Sequence, residues 1–237
     1  EPTLYPKINE VLETSKSFGF ENVLFTNGSL LSHKLWKRIG SVVDKIMLHL
    51  DTIDEETFAK SNMVPAEESK RIFAQTLKNI DDILNFGFDP EKIYTYIVLS
   101  QPASKTLEQT FSWIINKIEL GPIMLYQMVR AGRAKNVNSN MSLNVQQIQN
   151  AFELRAQFDG RSELLLLGHS EYCKHYQLTM AYIRADGQVT PYAGMPGGYG
   201  NILEESLCGI LQKSYGDISF ASLVNNNGTN KLDGACG

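Results

Sequence analysis

The sequence is poor in cysteine, in charge of one sign and in long apolar runs. It has three Cys in 237 residues, too few for a disulfide-stapled scaffold. A net charge of -4 gives no reason to expect a nucleic-acid or membrane partner. No apolar run approaches the roughly 20 residues of a membrane-spanning helix. Because 43% of the residues are hydrophobic, what remains is a globular chain with a sizeable core.

Short apolar strands alternate with amphipathic helices through residues 4–130. Strands are predicted at 22–25, 45–50, 93–99 and 122–129. A first helix is predicted from the apolar spacing of Leu4, Ile8, Val11 and Leu12, and it ends at Gly19. Two more helices are predicted at 32–40 and 66–86. A fourth is predicted from the apolar face formed by Leu107, Phe111, Ile114, Ile115 and Ile118. Nearly all-apolar strands are typical of a parallel sheet covered by helices, in a barrel or an open doubly wound sheet. In either fold the site lies at the carboxyl ends of the strands.

A polar stretch at 132–141 marks a predicted domain boundary, with one domain at 1–138 and a second at 139–237. The second is predicted to contain a helix at 144–157, with Asn144 as its cap and Gln147 at the capping-box position. It is also predicted to contain a strand at 163–168 and a hairpin whose strands, 178–184 and 188–192, flank Ala185-Asp186-Gly187. A last helix, with Glu204 and Glu205 early in it, is expected to bury Leu203, Leu207, Ile210 and Leu211. Cys208 is expected to be a small buried hydrophobe of that helix.

Polar side chains follow three of the predicted strands. Thr26-Asn27-Gly28 ends the first, His49 and Asp51 end the second, and Ser100 and Gln101 end the third, with Glu1 on the loop before the first helix. Together, a carboxylate and several amide or hydroxyl groups could hold a small zwitterion. The plainer interpretation, favoured by spacing alone, is that Asn27-Gly28 makes a turn and Asp51 caps a helix.

Several segments, taken in order, resemble radical S-adenosylmethionine (SAM) enzymes with an auxiliary-cluster extension of the SPASM or Twitch type. The barrel segments are Glu1-Pro2-Thr3-Leu4, Phe25–Leu31, Leu48–Asp51 and Gly132-Arg133-Ala134. Those of the extension are Cys173, Ile183–Pro191, Gly200-Asn201-Ile202 and Gly234–Gly237. The resemblance implies an α/β fold: a partial (β/α)6 TIM-like barrel, then a small α+β auxiliary-cluster domain with a β-hairpin. It also implies that both ends are truncated, with the first strand missing.

The resemblance assigns cofactor-binding roles to six residues. Glu1 would accept the methionine amino group of SAM, and Thr26 and Asn27 would line the same pocket. His49 would face the ribose, Asp51 completes that motif, and Arg133 would lie near the adenine. His49 stands where the family has a small hydroxyl residue, and it could equally be a hydrogen-bonded core histidine.

The family's chemistry uses a 4Fe-4S cluster on a Cys-x3-Cys-x2-Cys loop, which reductively cleaves SAM to a deoxyadenosyl radical that abstracts hydrogen from the substrate. This sequence lacks that motif. The resemblance therefore implies that the loop lies upstream in a parent protein and that the fragment alone, with no catalytic residue assigned, is inactive. Cys173 and Cys236 are candidate ligands of an auxiliary 4Fe-4S cluster, with inert thiols as the equal alternative. Tyr192 replaces an expected cysteine, which puts one cluster in doubt.

The predicted function is oxidative modification or maturation of a peptide or protein, with a flavodoxin or ferredoxin as reductant and no nucleic-acid or membrane partner. An oxygen-sensitive cluster would favour the cytoplasm. The alternative is a non-catalytic peptide- or partner-binding module with degenerate clusters. A zinc site at His169, Cys173 and His175 matches no strong motif. A third alternative is an α/β hydrolase, but the sequence lacks the Gly-x-Ser-x-Gly stretch that would carry its nucleophile.

Overall fold

The computed structural model describes residues 1–62, 65–128, 141–159, 181–190 and 198–216. These residues divide into two compact units. The first contains the described residues up to 159, and the second contains 181–190 and 198–216. None of the described helices is long and apolar enough to cross a bilayer.

Four parallel strands form the sheet of the first unit, in the order β1-β2-β3-β4. They are β1 (Val23–Thr26), β2 (Lys45–His49), β3 (Ile93–Leu99) and β4 (Ile123–Gln127). Seven helices accompany them: α1 (Ile8–Ser17), α2 (His33–Ile39), α3 (Glu55–Asn62), α4 (Ala66–Asn85), α5 (Gln101–Ser104), α6 (Leu107–Ser112) and α7 (Val145–Asp159). A π-helical turn at Trp113–Lys117 follows α6. The predicted parallel α/β sheet is confirmed.

The two faces of this sheet differ. In β3 the side chains of Ile93, Thr95, Ile97 and Leu99 are buried, whereas Tyr94, Tyr96 and Val98 between them are partly exposed. The strand register places His49 beside Tyr96 on the second face. The Tyr96 ring meets His49 edge-on at 5.5 Å between centroids and stacks on Tyr126 at 4.1 Å. The buried face forms the core beneath the helices, and the second face carries polar and aromatic groups.

The first predicted helix was placed too early. Residues Pro2–Leu4 form a separate 3-10 turn that Glu1 caps, and α1 begins only at Ile8. Tyr5 is extended, with φ -74° and ψ 120°, because a residue that precedes proline is driven out of the α region. Ile8 and Leu12 are buried as predicted, whereas Leu4 and Val11 are exposed.

Helix α7 packs on the parallel sheet. Asn144 and Gln147 form the predicted reciprocal cap: the Gln147 N–H donates to Asn144 Oδ1 at 2.9 Å, and the Asn144 N–H to Gln147 Oε1 at 3.0 Å. Arg155 Nε donates to the carbonyl of Ile123 in β4 at 2.6 Å, within the core. The structure places α7 in the first compact unit, whereas the sequence pattern placed this helix in the second domain. The boundary predicted at residue 138 and the strand predicted at 163–168 lie outside the described residues, so both stay predictions.

The second unit contains a three-stranded antiparallel sheet and helix α8 (Leu207–Gly216). Its strands are β5 (Tyr182–Ile183), β6 (Gln188–Thr190) and β7 (Gly200–Asn201), with β6 in the middle. The predicted turn joins β5 to β6, with Gly187 at φ +84°. That conformation favours glycine.

The start of the last helix was also predicted wrongly. Glu204 and Glu205 lie in a turn before α8, and Ser206 Oγ accepts the N–H of Gly209 at 3.2 Å, as a helix cap does. Leu203 and Leu207 are exposed rather than buried, and Cys208 is exposed too, while Ile210 is fully buried.

Candidate functional site

The Glu1 carboxylate joins the N-terminal turn to the end of β1. Its Oε1 accepts hydrogen bonds from Thr3 Oγ1 at 2.5 Å, the Thr3 N–H at 3.3 Å and Thr26 Oγ1 at 2.7 Å. Its Oε2 accepts the N–H of Asn27 at 3.0 Å. Three of the predicted site residues, Glu1, Thr26 and Asn27, therefore meet directly, and we call them with Thr3 the Glu1 cluster.

The environment keeps Glu1 ionised. Partial burial raises its pKa, but hydrogen bonds from Thr3, Asn27 and Thr26 outweigh burial, and the pKa lies below the ordinary 4.5. Oε1 already accepts three hydrogen bonds, whereas Oε2, with two lone pairs, accepts one from the described residues. The cluster can therefore offer a fixed negative charge, with one acceptor position open, to a bound cation.

The segment after β1 forms a tight turn. Asn27 Oδ1 accepts from the Ser29 N–H at 3.0 Å and from Ser29 Oγ at 2.7 Å, and Gly28 has φ +75°. The Gly28 N–H donates back to Thr26 Oγ1 at 3.1 Å. The turn expected at Asn27-Gly28 is present, and it leaves the Asn27 N–H directed at Glu1. The Asn27 side chain is itself engaged within the turn.

His49 and Asp51 form a second pair at the end of β2. His49 Nε2 lies 3.0 Å from Asp51 Oδ1, which also accepts the Val98 N–H at 2.7 Å. Burial lowers the pKa of His49, but the hydrogen bond and the charge of Asp51 outweigh it and raise the pKa above the ordinary 6.5. The side chain of His49 is 41% exposed, so this histidine is hydrogen-bonded without belonging to the core.

Asp51 is not a helix cap, contrary to the interpretation from spacing. Asp54 begins α3, because its Oδ1 accepts the N–H of Thr57 at 2.8 Å. Asp51 instead ties β2 to β3 through Val98. Ser100 does cap a helix, since its Oγ accepts the Ala103 N–H of α5 at 3.3 Å.

The two groups lie at neighbouring strand ends. Thr26 of β1 pairs with Leu48 of β2, one residue before His49, and parallel strands present their carboxyl ends on one edge. Sequence reasoning missed Thr3, although a hydroxyl two residues after a capping carboxylate is a usable signal.

Several predicted site residues lie outside the described part of the chain: Arg133, Cys173, Cys236, Tyr192, His169 and His175. Within the described part, no group of three or more His, Cys, Asp or Glu side chains could hold a metal ion.

No protein-family model matches the sequence. A stretch of 55 residues is 42% identical to an S-adenosylmethionine-dependent nucleotide dehydratase of Thermoplasmatales archaeon (strain ISO4-H5). The match covers 23% of this chain and 20% of that relative. It therefore reports on one segment and not on the whole protein.

Solved structures resemble the chain over a longer range. Native anSMEcpe with bound AdoMet (SAM) and the Cp18Cys peptide aligns at a TM-score of 0.62 and 12% identity, covering 92% of this chain and 63% of that one. The two proteins share a fold. The predicted α/β class with a partial TIM-like barrel is thereby confirmed. A domain of pyruvate-formate lyase-activating enzyme from Bacteroides vulgatus ATCC 8482 aligns at 0.49 and 15% identity, covering 67% of this chain and 90% of that one.

Proposed function

We propose that this chain is the SAM-binding part of a radical SAM enzyme. The observation that carries the proposal is the Glu1 cluster, in which an ionised carboxylate is held by Thr26 and the Asn27 N–H at the end of β1. The fold is shared with a structure that contains AdoMet, and the 55-residue match is to a SAM-dependent protein. Both findings support the same ligand.

The residues of the cluster fit the amino group of SAM. An ammonium donates hydrogen bonds and carries a positive charge, and Glu1 Oε2 offers a charged acceptor with an open position. The donors on Glu1 are uncharged, so they fix the carboxylate without neutralising it. Thr26 and Asn27 would act by orienting Glu1, while the methionine part of SAM lies against them.

His49 is the proposed partner of the ribose hydroxyl groups. Asp51 holds Nε2 of His49 and keeps the ring oriented, so the other ring nitrogen is the one that can face a ligand. Arg133 is proposed to lie at the adenine end on the resemblance of Gly132-Arg133-Ala134.

SAM on a reduced 4Fe-4S cluster would supply the radical that abstracts a hydrogen atom from the substrate. The cysteines of this chain do not fit that cluster, because the Cys-x3-Cys-x2-Cys spacing does not occur in the sequence. The proposal therefore requires three cysteines from residues outside this sequence. The open reading frame that contains this chain tests the requirement, and a complete frame without the motif would overturn the radical mechanism.

The substrate we propose is a peptide or protein, since anSMEcpe, whose fold the chain shares, was solved with a peptide. A second candidate is a nucleotide, favoured by the 42% identity to a nucleotide dehydratase over 55 residues. Anaerobic assays with SAM and a reduced flavodoxin or ferredoxin would separate the two. Deoxyadenosine release that rises with peptides and not with nucleoside triphosphates supports the first. The reverse supports the second.

An auxiliary cluster at Cys173 and Cys236 remains part of the proposal. Anaerobic iron and sulfide analysis of the complete protein tests it. Cys173→Ser and Cys236→Ser should each lower the iron content by about one cluster, or four iron atoms. Cys208→Ser is the matched control, because Cys208 is exposed and stands apart from other ligands in the described residues. Equal iron in all three variants would contradict the proposal of an auxiliary site.

Because such clusters need reducing conditions, we propose a cytoplasmic location.

Binding of SAM itself is measured by anaerobic calorimetry on the protein expressed from that reading frame. Saturable binding with release of deoxyadenosine on reduction supports the enzyme. Binding of a peptide without any binding of SAM would favour the alternative, a non-catalytic module.

A further inference from the structure

Helix α4 carries three polar side chains that are fully buried. Ser69, Thr76 and Asn79 are each no more than 1% exposed, on the same helix as the buried Phe73 and Ile80. Burying an amide costs free energy unless its hydrogen bonds are satisfied. We therefore expect the buried amide of Asn79 to be hydrogen-bonded.

Asn79 forms hydrogen bonds to the turn that follows β1. Its Nδ2 donates to the carbonyl of Gly28 at 2.8 Å and to the carbonyl of Ser29 at 3.0 Å. Its Oδ1 accepts from Gln75 Nε2 at 2.7 Å. Both ends of the amide are engaged, so the side chain is fixed in one orientation. Thr76 Oγ1 donates to the neighbouring carbonyl, that of Asn27, at 3.3 Å.

The same turn carries the donors that hold Glu1. Thr26 Oγ1, which donates to Glu1, accepts the N–H of Gly28. The backbone between the Asn27 N–H and the Gly28 carbonyl is therefore held from both sides, by Glu1 at one end and by α4 at the other. A change of conformation at Gly28 would move both donors away from the carboxylate.

We propose that Asn79 is a positioning residue of the SAM site, which acts by locking the Thr26–Ser29 turn so that Thr26 and Asn27 both donate to Glu1. This inference rests on the proposed function for its ligand, but its structural half can be tested without any ligand. A merely structural Asn79 would stabilise the fold and leave the properties of Glu1 unchanged.

The experiment replaces Asn79 by Leu, which has nearly the same shape and no donor. The first readout is the pKa of the Glu1 carboxyl in the ligand-free protein, followed by carbon-13 NMR with labelled glutamate. Since hydrogen bonds lower this pKa below 4.5, Asn79→Leu should raise it toward that value. The second readout is SAM affinity, which should weaken about tenfold, because a turn that shifts would move the Glu1 carboxylate out of line with the ammonium of SAM.

Ser69→Ala is the matched control. Ser69 is equally buried on α4, and its hydroxyl has no partner among the described residues. It should leave both the Glu1 pKa and the SAM affinity unchanged. Thr76→Val is an independent second variant, which removes the donor to Asn27 while keeping the shape. It should move both readouts in the same direction by a smaller amount, because its hydrogen bond is longer.

The outcomes separate the two claims. A folded Asn79→Leu protein with an unchanged Glu1 pKa overturns the positioning role. A raised pKa with no SAM binding even by the unaltered protein upholds that role and overturns the proposed ligand. If Asn79→Leu does not fold, Thr76→Val decides, and an unchanged Glu1 pKa in that variant overturns the inference.

Discussion

Glu1 and Asp51 are carboxylates at neighbouring strand ends, yet they are held by different kinds of partner. Within the described part of the chain, Glu1 accepts hydrogen bonds from uncharged donors, those of Thr3, Thr26 and Asn27. Asp51 faces an imidazole, His49, whose pKa it raises. Among the described residues, neutral donors hold the first carboxylate, whereas the second pairs with a histidine and fixes β2 against β3. The comparison teaches that position at the strand ends does not decide the role of a carboxylate; its partners do.

The largest expected effect is on ligand binding at Glu1. Glu1→Gln keeps the shape of the side chain and removes its charge, so SAM should bind about 10- to 100-fold more weakly, the cost of about 1.5–3 kcal/mol for a lost hydrogen bond to a charged group. Glu10→Gln is the control, since Glu10 is exposed and makes only a surface ion pair with Lys7. Calorimetry measures both. Equal losses in the two variants would contradict the role of Glu1.

The second-largest effect is expected for Gly28→Ala, which should lower the free energy of unfolding. Gly28 has φ +75°, and an added Cβ would meet Leu48 Cδ1 at 3.0 Å and Thr76 Cγ2 at 3.2 Å. We expect destabilisation by about 1–2 kcal/mol from backbone strain alone, and more from the two close contacts. Gly19→Ala isolates the strain, because Gly19 has φ +81° with nothing within 4 Å. Urea unfolding compares them, and an equal cost at both positions would show that the turn has room.

The smallest effect is expected at Asp51. Protonated His49 stabilises the fold at pH values below its unfolded pKa of 6.5, and this stabilisation disappears as the pH rises through the higher pKa of the folded state. Asp51→Asn should therefore cost more stability at about pH 5.5 than at about pH 8.5, and the difference should be less than about 1 kcal/mol because His49 is partly exposed. An NMR titration of the His49 ring measures its pKa in both proteins. A pKa of His49 that Asp51→Asn leaves unchanged would contradict the pairing.

Local patterns predicted the four strands of the parallel sheet well, because each of them is a short apolar run between polar turns. The hairpin and the cap at Asn144 and Gln147 followed from local chemistry as well. The errors at the starts of α1 and α8 were also local: the effect of Pro6 on Tyr5 was overlooked, and so was the cap at Ser206.

The site was predictable only in part. The resemblance selected Glu1, Thr26 and Asn27, and the structure brings these three together. The hydrogen bond from Asn79 to the carbonyl of Gly28 joins residues 51 positions apart in the chain, and no short sequence motif predicts such a contact. The partner of Asp51 was missed for the same reason, since Val98 is 47 residues away.

The central claim is that the Glu1 carboxylate recognises an ammonium group. The most direct measurement compares the binding of SAM with that of an analogue lacking only the amino group, in the unaltered protein and in Glu1→Gln. We predict that the unaltered protein binds SAM about tenfold or more tightly than the analogue and that Glu1→Gln loses this preference. The same preference in both proteins would contradict it.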